Sequence, residues 1–170
     1  KSDLPELPIL MGMAEVLATF PRLADNIDRC IISEDEMADS ASPELRNIRR
    51  GIVRQNEAIR NRLGQIISSS DNKTFLQDAI VTMRDGRYVV PVKAERRGRI
   101  PGIVHDQSST GATIFIEPQV IVNLNNELRE LELAEKAEIE RILAELSGAV
   151  AEHFHDLVNN QKLLTEMDFI

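Results

Sequence analysis

An island of β-type sequence at residues 85–118 constrains the fold most, because the rest of the chain carries the pattern of long helices. The island reads DGRYVVPVKAERRGRIPGIVHDQSSTGATIFIEP, with β-branched and aromatic residues clustered between glycines. Such residues favour strands, and Asp-Gly at 85–86 is typical of a tight hairpin. We predict one antiparallel sheet of four strands, which span Ile80–Arg84, Arg87–Glu95, Arg99–Asp106 and Ala112–Glu117.

Two long helical patterns flank the island. The first covers about Pro43–Ser68, with apolar residues at a spacing of three and four, and would span about 38 Å. The second starts at Pro118 and is predicted to continue to about Thr165, with weak points at Ala134–Glu135 and Gly148. A helix of that length cannot bury its apolar stripe alone. We therefore expect the two helices to pair antiparallel, close to a heptad seam.

Composition agrees with this architecture. Hydrophobic residues make up 42% of the chain, aromatic residues only 4%, and tryptophan is absent. These values suit helix pairs better than a β-sandwich. The predicted fold class is mostly α with a small antiparallel β insert (α+β). We divide the chain into a helical part at 1–79, a β subdomain at 80–118 and a long helix at 119–170.

The charge is segregated along the chain. The net charge of −8 argues against non-specific nucleic-acid binding by the chain as a whole. Residues 84–99 nevertheless carry a net charge of +4, whereas residues 127–145 carry −4. The arginines of the first long helix, Arg46 to Arg62, are interpreted as partners of the acidic second helix.

The turn Arg96-Arg97-Gly98-Arg99 differs from the other basic residues. We place it at the tip of a hairpin, where Glu95 is its only obvious partner. Guanidinium groups bind phosphates bidentately, and contacts to a nucleic-acid backbone require charge without a base code. The sequence therefore predicts phosphate contacts by Lys93, Arg96, Arg97 and Arg99, with Arg84 and Arg87 as weaker candidates. A solvated turn is the alternative.

No catalytic or metal-binding constellation is evident. The three histidines, His105, His153 and His155, have no cysteine partners. His153 and His155 are two positions apart, so they do not share a face of a helix. His105-Asp106 could form a base with its orienting group, but no nucleophile accompanies it. The loop SSTGAT lacks the lysine of a phosphate-binding P-loop. We expect no enzymatic activity, cofactor or metal in these 170 residues.

Cellular location is predicted from cysteine usage and hydropathy. Cys30 is the single cysteine, which is typical of a reducing cytosol, and no apolar run reaches the ~18 residues of a membrane span. We expect a cytoplasmic protein without a membrane partner. Because the chain begins with lysine and stops on Phe169-Ile170, we interpret it as part of a longer protein.

The segment GRYVVPVKAERRGRIPGIVHDQSSTGATIFIEPQVIVNLNNELRELELAEKAEIERIL closely resembles the middle region of the second bacterial type of MutS, the MutS-two family. The run HDQSSTGATIFIEP is the most specific part of this resemblance, which is strong over about 80–146. By the resemblance, the chain is the lever and clamp region, and residues 80–118 are the clamp-like subdomain. The Phe-x-Glu wedge that reads mismatches in the repair relatives is absent.

The resemblance implies properties of a longer parent protein. Its ATPase domain would bind ATP and Mg²⁺ and form the main homodimer contact, and a C-terminal Smr nuclease domain is common in the family. The parent would bind branched DNA and oppose homologous recombination. Some members of the family are also implicated in recognising and splitting collided ribosomes. The ATPase and Smr motifs do not occur in this sequence.

Three hypotheses follow for this segment. In the first, it is a clamp that contacts branched or duplex DNA. In the second, it is a mechanical module that transmits the ATPase state while its β part binds the ribosome or ribosomal RNA. In the third, it is only a coiled-coil dimerisation element.

Overall fold

The computed structural model describes residues 7–168, and its α-helices account for most of that range. In chain order they are α1 Leu7–Val16, α2 Pro21–Cys30, α3 Pro43–Ser68, α4 Ser70–Lys73, α5 Val122–Glu152 and α6 Phe154–Asp168. Three single-turn 3₁₀ helices are Asp39–Ala41, Ala94–Arg96 and Gln119–Ile121.

Within residues 7–168, six strands form two antiparallel sheets. They are β1 Ile31–Ser33, β2 Glu36–Met37, β3 Thr82–Arg84, β4 Arg87–Lys93, β5 Gly102–Gln107 and β6 Thr113–Pro118. Strands β1 and β2 form a small hairpin, and the other four form one sheet in the order β3-β4-β6-β5. The predicted fold class, mostly α with a small antiparallel β insert, is confirmed.

The described backbone forms two compact units, one of residues 7–43 with 139–168 and one of Glu44–Glu138. In the first unit, the side chain of Asn160 on α6 accepts from the Ala18 amide at 2.9 Å and donates to the Ala18 carbonyl at 2.8 Å. The rings of Phe20 and His153 pack with centroids 4.5 Å apart and planes inclined by 36°. The division at 1–79, 80–118 and 119–170 stays a prediction.

In the second unit, the four-stranded sheet packs one face against α3 and α5. The face consists of alternate residues of β4 and β6, because side chains alternate across a strand. Its core is completed by two residues of α3, one of α5 and three from connecting segments. The buried members of this core are Ile59, Leu63, Leu76, Tyr88, Val90, Val92, Ile100, Ile114, Ile116, Ile121 and Leu128.

Helices α3 and α5 are antiparallel within this unit. Arg49 on α3 bonds to Glu135, whereas Gln55, further along α3, bonds to Glu127 and to the Leu124 carbonyl. Residue numbers therefore rise on one helix as they fall on the other. Gly51 of α3 faces Leu131 of α5, where an added Cβ would be 3.2 Å from the Leu131 side chain.

One helix prediction and one turn prediction are confirmed by the backbone. Helix α3 has the predicted bounds, Pro43–Ser68. At the β3–β4 hairpin, Asp85 and Gly86 have φ of 51° and 73°, the positive values that a type I′ turn requires.

Two other sequence predictions are wrong. The last helix is not continuous to Thr165, because α5 ends at Glu152 and α6 begins at Phe154. The break lies at His153, whose amide bonds to the Val150 carbonyl three residues back while its ring packs on Phe20. This tertiary contact has no local sequence signal, and Gly148 lies inside the uninterrupted α5.

The arginine turn is also not the tip of a hairpin. Strand β4 pairs with β6, and β6 separates it from β5. Residues 94–101 therefore form a connection that crosses the end of β6, which we call the crossover. Its two ends are fixed by backbone hydrogen bonds from Ala94 to the Ala112 carbonyl (3.0 Å) and from Gln119 to the Pro101 carbonyl (2.9 Å).

Gly102 starts β5 where two backbones approach closely. An added Cβ would lie 2.1 Å from the Glu117 carbonyl oxygen, far inside van der Waals contact. We predict that Gly102→Ala lowers the free energy of unfolding by about 2 kcal/mol, because backbone must shift to relieve the clash. Urea denaturation measures this. Gly98→Ala is the control, since its Cβ would meet no atom within 4 Å. Equal losses in both variants would contradict the steric explanation.

Candidate nucleic-acid interface

The crossover presents three arginines to solvent. Arg96, Arg97 and Arg99 are all exposed, and none of their side chains has a hydrogen bond or ion pair within residues 7–168. Two tight turns hold the backbone, with bonds from Arg97 to the Ala94 carbonyl (3.3 Å) and from Arg99 to the Arg96 carbonyl (3.0 Å). The buried side chain of Ile100 follows directly in the core. Three guanidinium groups are thus held on a short, anchored loop.

Lys93 lies at the base of the crossover and is half-buried. Its Nζ donates to the Thr74 carbonyl at 3.3 Å. No carboxylate pairs with its ammonium group in the described part of the chain, so Lys93 adds positive charge beside the three arginines.

Arg84 and Arg87, the two weaker sequence candidates, are engaged within the sheet. Arg84 donates to Asp106 Oδ2 at 3.0 Å and stacks over the Phe115 ring, with Cζ 3.9 Å from the centroid. Arg87 is 20% exposed and forms a two-bonded ion pair with Glu117. The structure therefore brings four of the six predicted residues together at the crossover and gives the other two internal partners.

Glu117 is the centre of a buried polar cluster that the sequence did not predict. Its carboxylate, 0% exposed, accepts from the Arg87 guanidinium, from Asn125 Nδ2 (2.8 Å) and from His105 Nε2 (2.5 Å). Burial alone would raise the pKa of this carboxyl. The hydrogen bonds from Arg87, Asn125 and His105, with the charge of Arg87, outweigh burial and hold the pKa below its ordinary value.

A β-bulge places His105 in this cluster. The pairing of β5 with β6 shifts register between Val104 and Asp106, so His105 is the extra residue. His105 consequently contacts Glu117 rather than being oriented by Asp106, as the sequence suggested. The available signal was a glutamate within the apolar run TIFIEP, since a charge in a buried strand requires partners.

The cluster continues from the sheet into both helices. Asn125 on α5 accepts from the Tyr88 amide (3.3 Å) and donates to the Tyr88 carbonyl (3.2 Å). The Tyr88 hydroxyl donates to Asn56 Oδ1 on α3 at 2.6 Å, and the Asn56 amide donates to the Ile52 carbonyl. One chain of hydrogen bonds therefore joins β6, α5, β4 and α3.

No metal site is evident in the described part of the chain, where no group of three or more His, Cys, Asp or Glu side chains could hold an ion. Among the same residues, no helix combines the length and apolarity needed to cross a bilayer.

Comparison with curated proteins decides the family. The chain is 55% identical over 163 residues to a protein named Endonuclease MutS2 from Alkaliphilus oremlandii, a match that covers 96% of this chain and 21% of that protein. It is 51% identical over 168 residues to the protein of that name from Alkaliphilus metalliredigens (99% and 21%) and 52% identical over 162 residues to that from Clostridioides difficile (95% and 20%). The chain belongs to the MutS2 family.

The chain spans about one fifth of the length of these MutS2 relatives. No protein-family model matches it. The resemblance of the segment with HDQSSTGATIFIEP to the MutS-two family is confirmed by the identity of 51–55% to these relatives, which extends over nearly the whole chain.

The arginines of α3 in this MutS2 segment are mostly not paired with α5. Arg49 bonds to Glu135 at 2.7 Å. The other five are exposed and have no ion pair within the described residues; they are Arg46, Arg50, Arg54, Arg60 and Arg62. The interpretation that the arginine run serves helix pairing is thus confirmed for Arg49, whereas for the other five it stays a prediction.

A groove of about 410 Å³ connects Arg62 on α3 with Arg99 of the crossover. Its walls are mainly apolar, and no carboxylate is among its described lining residues, which include Ile66, Ile100, Pro101, Pro118 and Val120. Arg62 of α3 and Arg99 of the crossover therefore line the same groove.

The Glu117 cluster predicts a specific pH dependence. Because the folded-state pKa of Glu117 is lowered, its ionisation stabilises the fold above the ordinary glutamate pKa of about 4.3, and this contribution is lost as pH falls through the folded pKa. We expect Glu117→Gln to lose about 3 kcal/mol of unfolding free energy at pH 7, since it leaves Arg87 without its ion-pair partner. The difference from wild type should shrink below pH ~4.3.

Urea denaturation at pH 7, 5, 4 and 3 tests this. Asp106→Asn is the control, because its half-exposed carboxylate pairs with Arg84 at the surface and should contribute less than about 1 kcal/mol. A Glu117→Gln deficit that stays constant from pH 7 to pH 3 would contradict the assignment.

Proposed function

We propose that this MutS2 segment contacts the phosphate backbone of branched or duplex DNA through the crossover, with Arg96, Arg97 and Arg99 as the main contacts and Lys93 as a fourth. The observation that carries the proposal is the exposure of these three arginines without an internal partner in the described residues. In a chain with a net charge of −8, such a cluster requires an explanation. The phosphate groups of a nucleic-acid backbone match guanidinium groups well, because each phosphate can accept two parallel hydrogen bonds from one arginine.

The supporting contrast lies within the same sheet. Arg84 and Arg87 have carboxylate partners, so their charges are neutralised internally. The crossover arginines have Glu95 beside them in sequence, yet no ion pair joins them. Because the positive charges of the crossover arginines are held in place without a neutralising partner, they favour binding of an external anion.

The acidic helix sequence restricts the proposed contact to one region. Residues 127–145 carry a net charge of −4, which repels a polyanion. A phosphate backbone is therefore attracted to the crossover and the adjoining groove with Arg62 and Arg99, and repelled along the acidic part of α5. No residue is assigned to base reading, so the proposed binding depends on structure and charge rather than on sequence.

The second part of the proposal is mechanical. The hydrogen-bonded chain through Glu117, Asn125, Tyr88 and Asn56 ties the sheet to α3 and α5. We expect a displacement of the crossover to move the sheet and the two helices together, because these hydrogen bonds resist sliding of the sheet over the helices. Coupling of this kind suits a lever and clamp segment.

For the longer MutS2 protein, we propose that branched-DNA binding opposes homologous recombination. The relatives carry the name endonuclease, and we propose the same activity for a longer protein that includes this segment. Binding of ATP with Mg²⁺ and dimerisation through an ATPase domain remain predictions about sequence outside these 170 residues. Binding of collided ribosomes is the alternative, since ribosomal RNA is also a phosphate surface.

The triple variant Arg96→Gln/Arg97→Gln/Arg99→Gln tests the crossover. We predict that its affinity for a four-way DNA junction falls on the order of 100-fold at 0.1 M salt, and that the log–log salt slope becomes shallower by about 2.7, or 0.9 per lost contact. Fluorescence anisotropy at 50, 100 and 200 mM salt measures both quantities. Unlabelled structured RNA added as competitor separates the DNA proposal from the ribosomal alternative.

The control is Arg22→Gln/Arg129→Gln/Arg141→Gln, which removes the same charge from exposed positions elsewhere, two of which form surface ion pairs with Glu132 and Glu145. Its affinity and slope should stay within about twofold and 0.9 of wild type. Equal losses in the two triples would show a net-charge effect only. Stronger competition by RNA than by junction DNA would favour the ribosomal alternative.

A further inference from the structure

Three arginines form a row on the face of α3 that points away from the core. Successive helical residues are rotated by about 100°, so positions four apart lie almost above one another at a rise of about 6 Å. Arg46, Arg50 and Arg54 have this spacing. We call them the arginine ridge.

The core residues of α3 define the opposite direction. Leu45, Ile48, Ile59 and Leu63 are buried, and their positions on the helical wheel cluster on one side. The ridge lies about 130–170° away from that side by the same rotation. All three ridge residues are exposed. Helix α5 bonds to α3 through Arg49 and Gln55, and within the described residues no ion pair joins an α5 carboxylate to the ridge.

The ridge has no internal compensation for its charge. Within residues 7–168, none of its three guanidinium groups has an ion pair or side-chain hydrogen bond. Like charges at a spacing of four residues repel each other and destabilise a helix. Glu57, three residues beyond Arg54, is the nearest carboxylate on that face, and it forms no ion pair with the ridge. An external polyanion would remove the repulsion.

We propose that the arginine ridge is a second phosphate-contact surface, which binds the backbone of duplex DNA independently of the crossover. The proposal rests on the proposed function for the class of ligand, but none of its residues belongs to the crossover. The ridge extends about 12 Å from Arg46 to Arg54, a length over which one DNA strand presents about three to four phosphates. A row of guanidinium groups with one carboxylate beside it matches that array.

A protein partner fits this face less well. Stable protein interfaces bury an apolar core that is depleted of charge. Val53, 57% exposed, is the one large exposed apolar side chain on α3, and it lies among the arginines. Phosphate contacts need no apolar core, and protein–DNA interfaces are strongly positive. An acidic helix of a second copy is therefore the competing occupant that the experiment has to separate.

The test compares Arg46→Gln/Arg50→Gln/Arg54→Gln with the control triple Arg22→Gln/Arg129→Gln/Arg141→Gln in the 170-residue chain. We expect the ridge triple to weaken binding of a 30-base-pair duplex on the order of 100-fold at 0.1 M salt and to make the salt slope shallower by about 2.7. The control triple should change the affinity by no more than about twofold and the salt slope by no more than about 0.9. The triple Arg→Lys variant at the ridge keeps the charge and should retain most of the affinity. Circular dichroism verifies that the helix content of all variants is unchanged.

The outcomes separate this proposal from the previous one. Weaker binding by the ridge triple together with normal binding by the crossover triple supports the ridge and overturns the crossover. Normal binding by the ridge triple together with weaker binding by the crossover triple overturns the ridge proposal alone. If the unsubstituted chain does not bind DNA, both proposals are wrong. If sedimentation shows that the ridge triple loses self-association while its DNA affinity is unchanged, a second copy is the partner and the proposal is wrong.

Discussion

The buried carboxylate of Glu117 is the interaction on which the second unit depends. A charge without solvent exposure is costly unless each oxygen has hydrogen-bond donors, and Glu117 receives them from β4, β5 and α5. These donors fix three relative positions at once: the start of β4 through Arg87, the bulge of β5 through His105, and the first turns of α5 through Asn125. The apolar core supplies the bulk of the packing, but apolar contacts alone tolerate sliding. The cluster specifies one arrangement, because any displacement would leave the carboxylate unsatisfied.

Charge is distributed in this molecule according to which side chains have internal partners. Arg87, Arg84 and Arg49 each bond to a carboxylate, and their charges serve the fold. The crossover arginines and the arginine ridge have no such partners in the described residues, and they lie on a loop and on an outward helix face. Net charge would hide this distinction, since the whole chain is acidic. An arginine paired with a carboxylate contributes to the fold, whereas an exposed arginine without an ion pair is a candidate for phosphate contact.

Much of the architecture was predictable from local sequence. The bounds of α3 follow from a proline start and a regular apolar spacing, and the β3–β4 turn follows from Asp85-Gly86, whose positive φ values suit those residues. The order of the strands did not follow, because pairing of β4 with β6 rather than β5 involves contacts between residues distant in sequence. The break at His153 has the same origin, since a ring contact with Phe20 accompanies it. Four of the six candidate phosphate contacts lie together because they are neighbours in sequence, whereas the internal roles of Arg84 and Arg87 depend on cross-strand partners.

The long helix at Pro43–Ser68, the four strands within residues 80–118 and the family follow from the sequence alone, because periodicity, turn residues and a specific run such as HDQSSTGATIFIEP are local properties. Which charges have partners depends on contacts between elements that are distant in sequence. Burial of Glu117 recruits Arg87 and His105, and the packing direction of α3 turns Arg46, Arg50 and Arg54 outward. The physical reason is that the free energy of a charged side chain depends on solvent exposure and on neighbours from other elements, and a linear pattern contains neither.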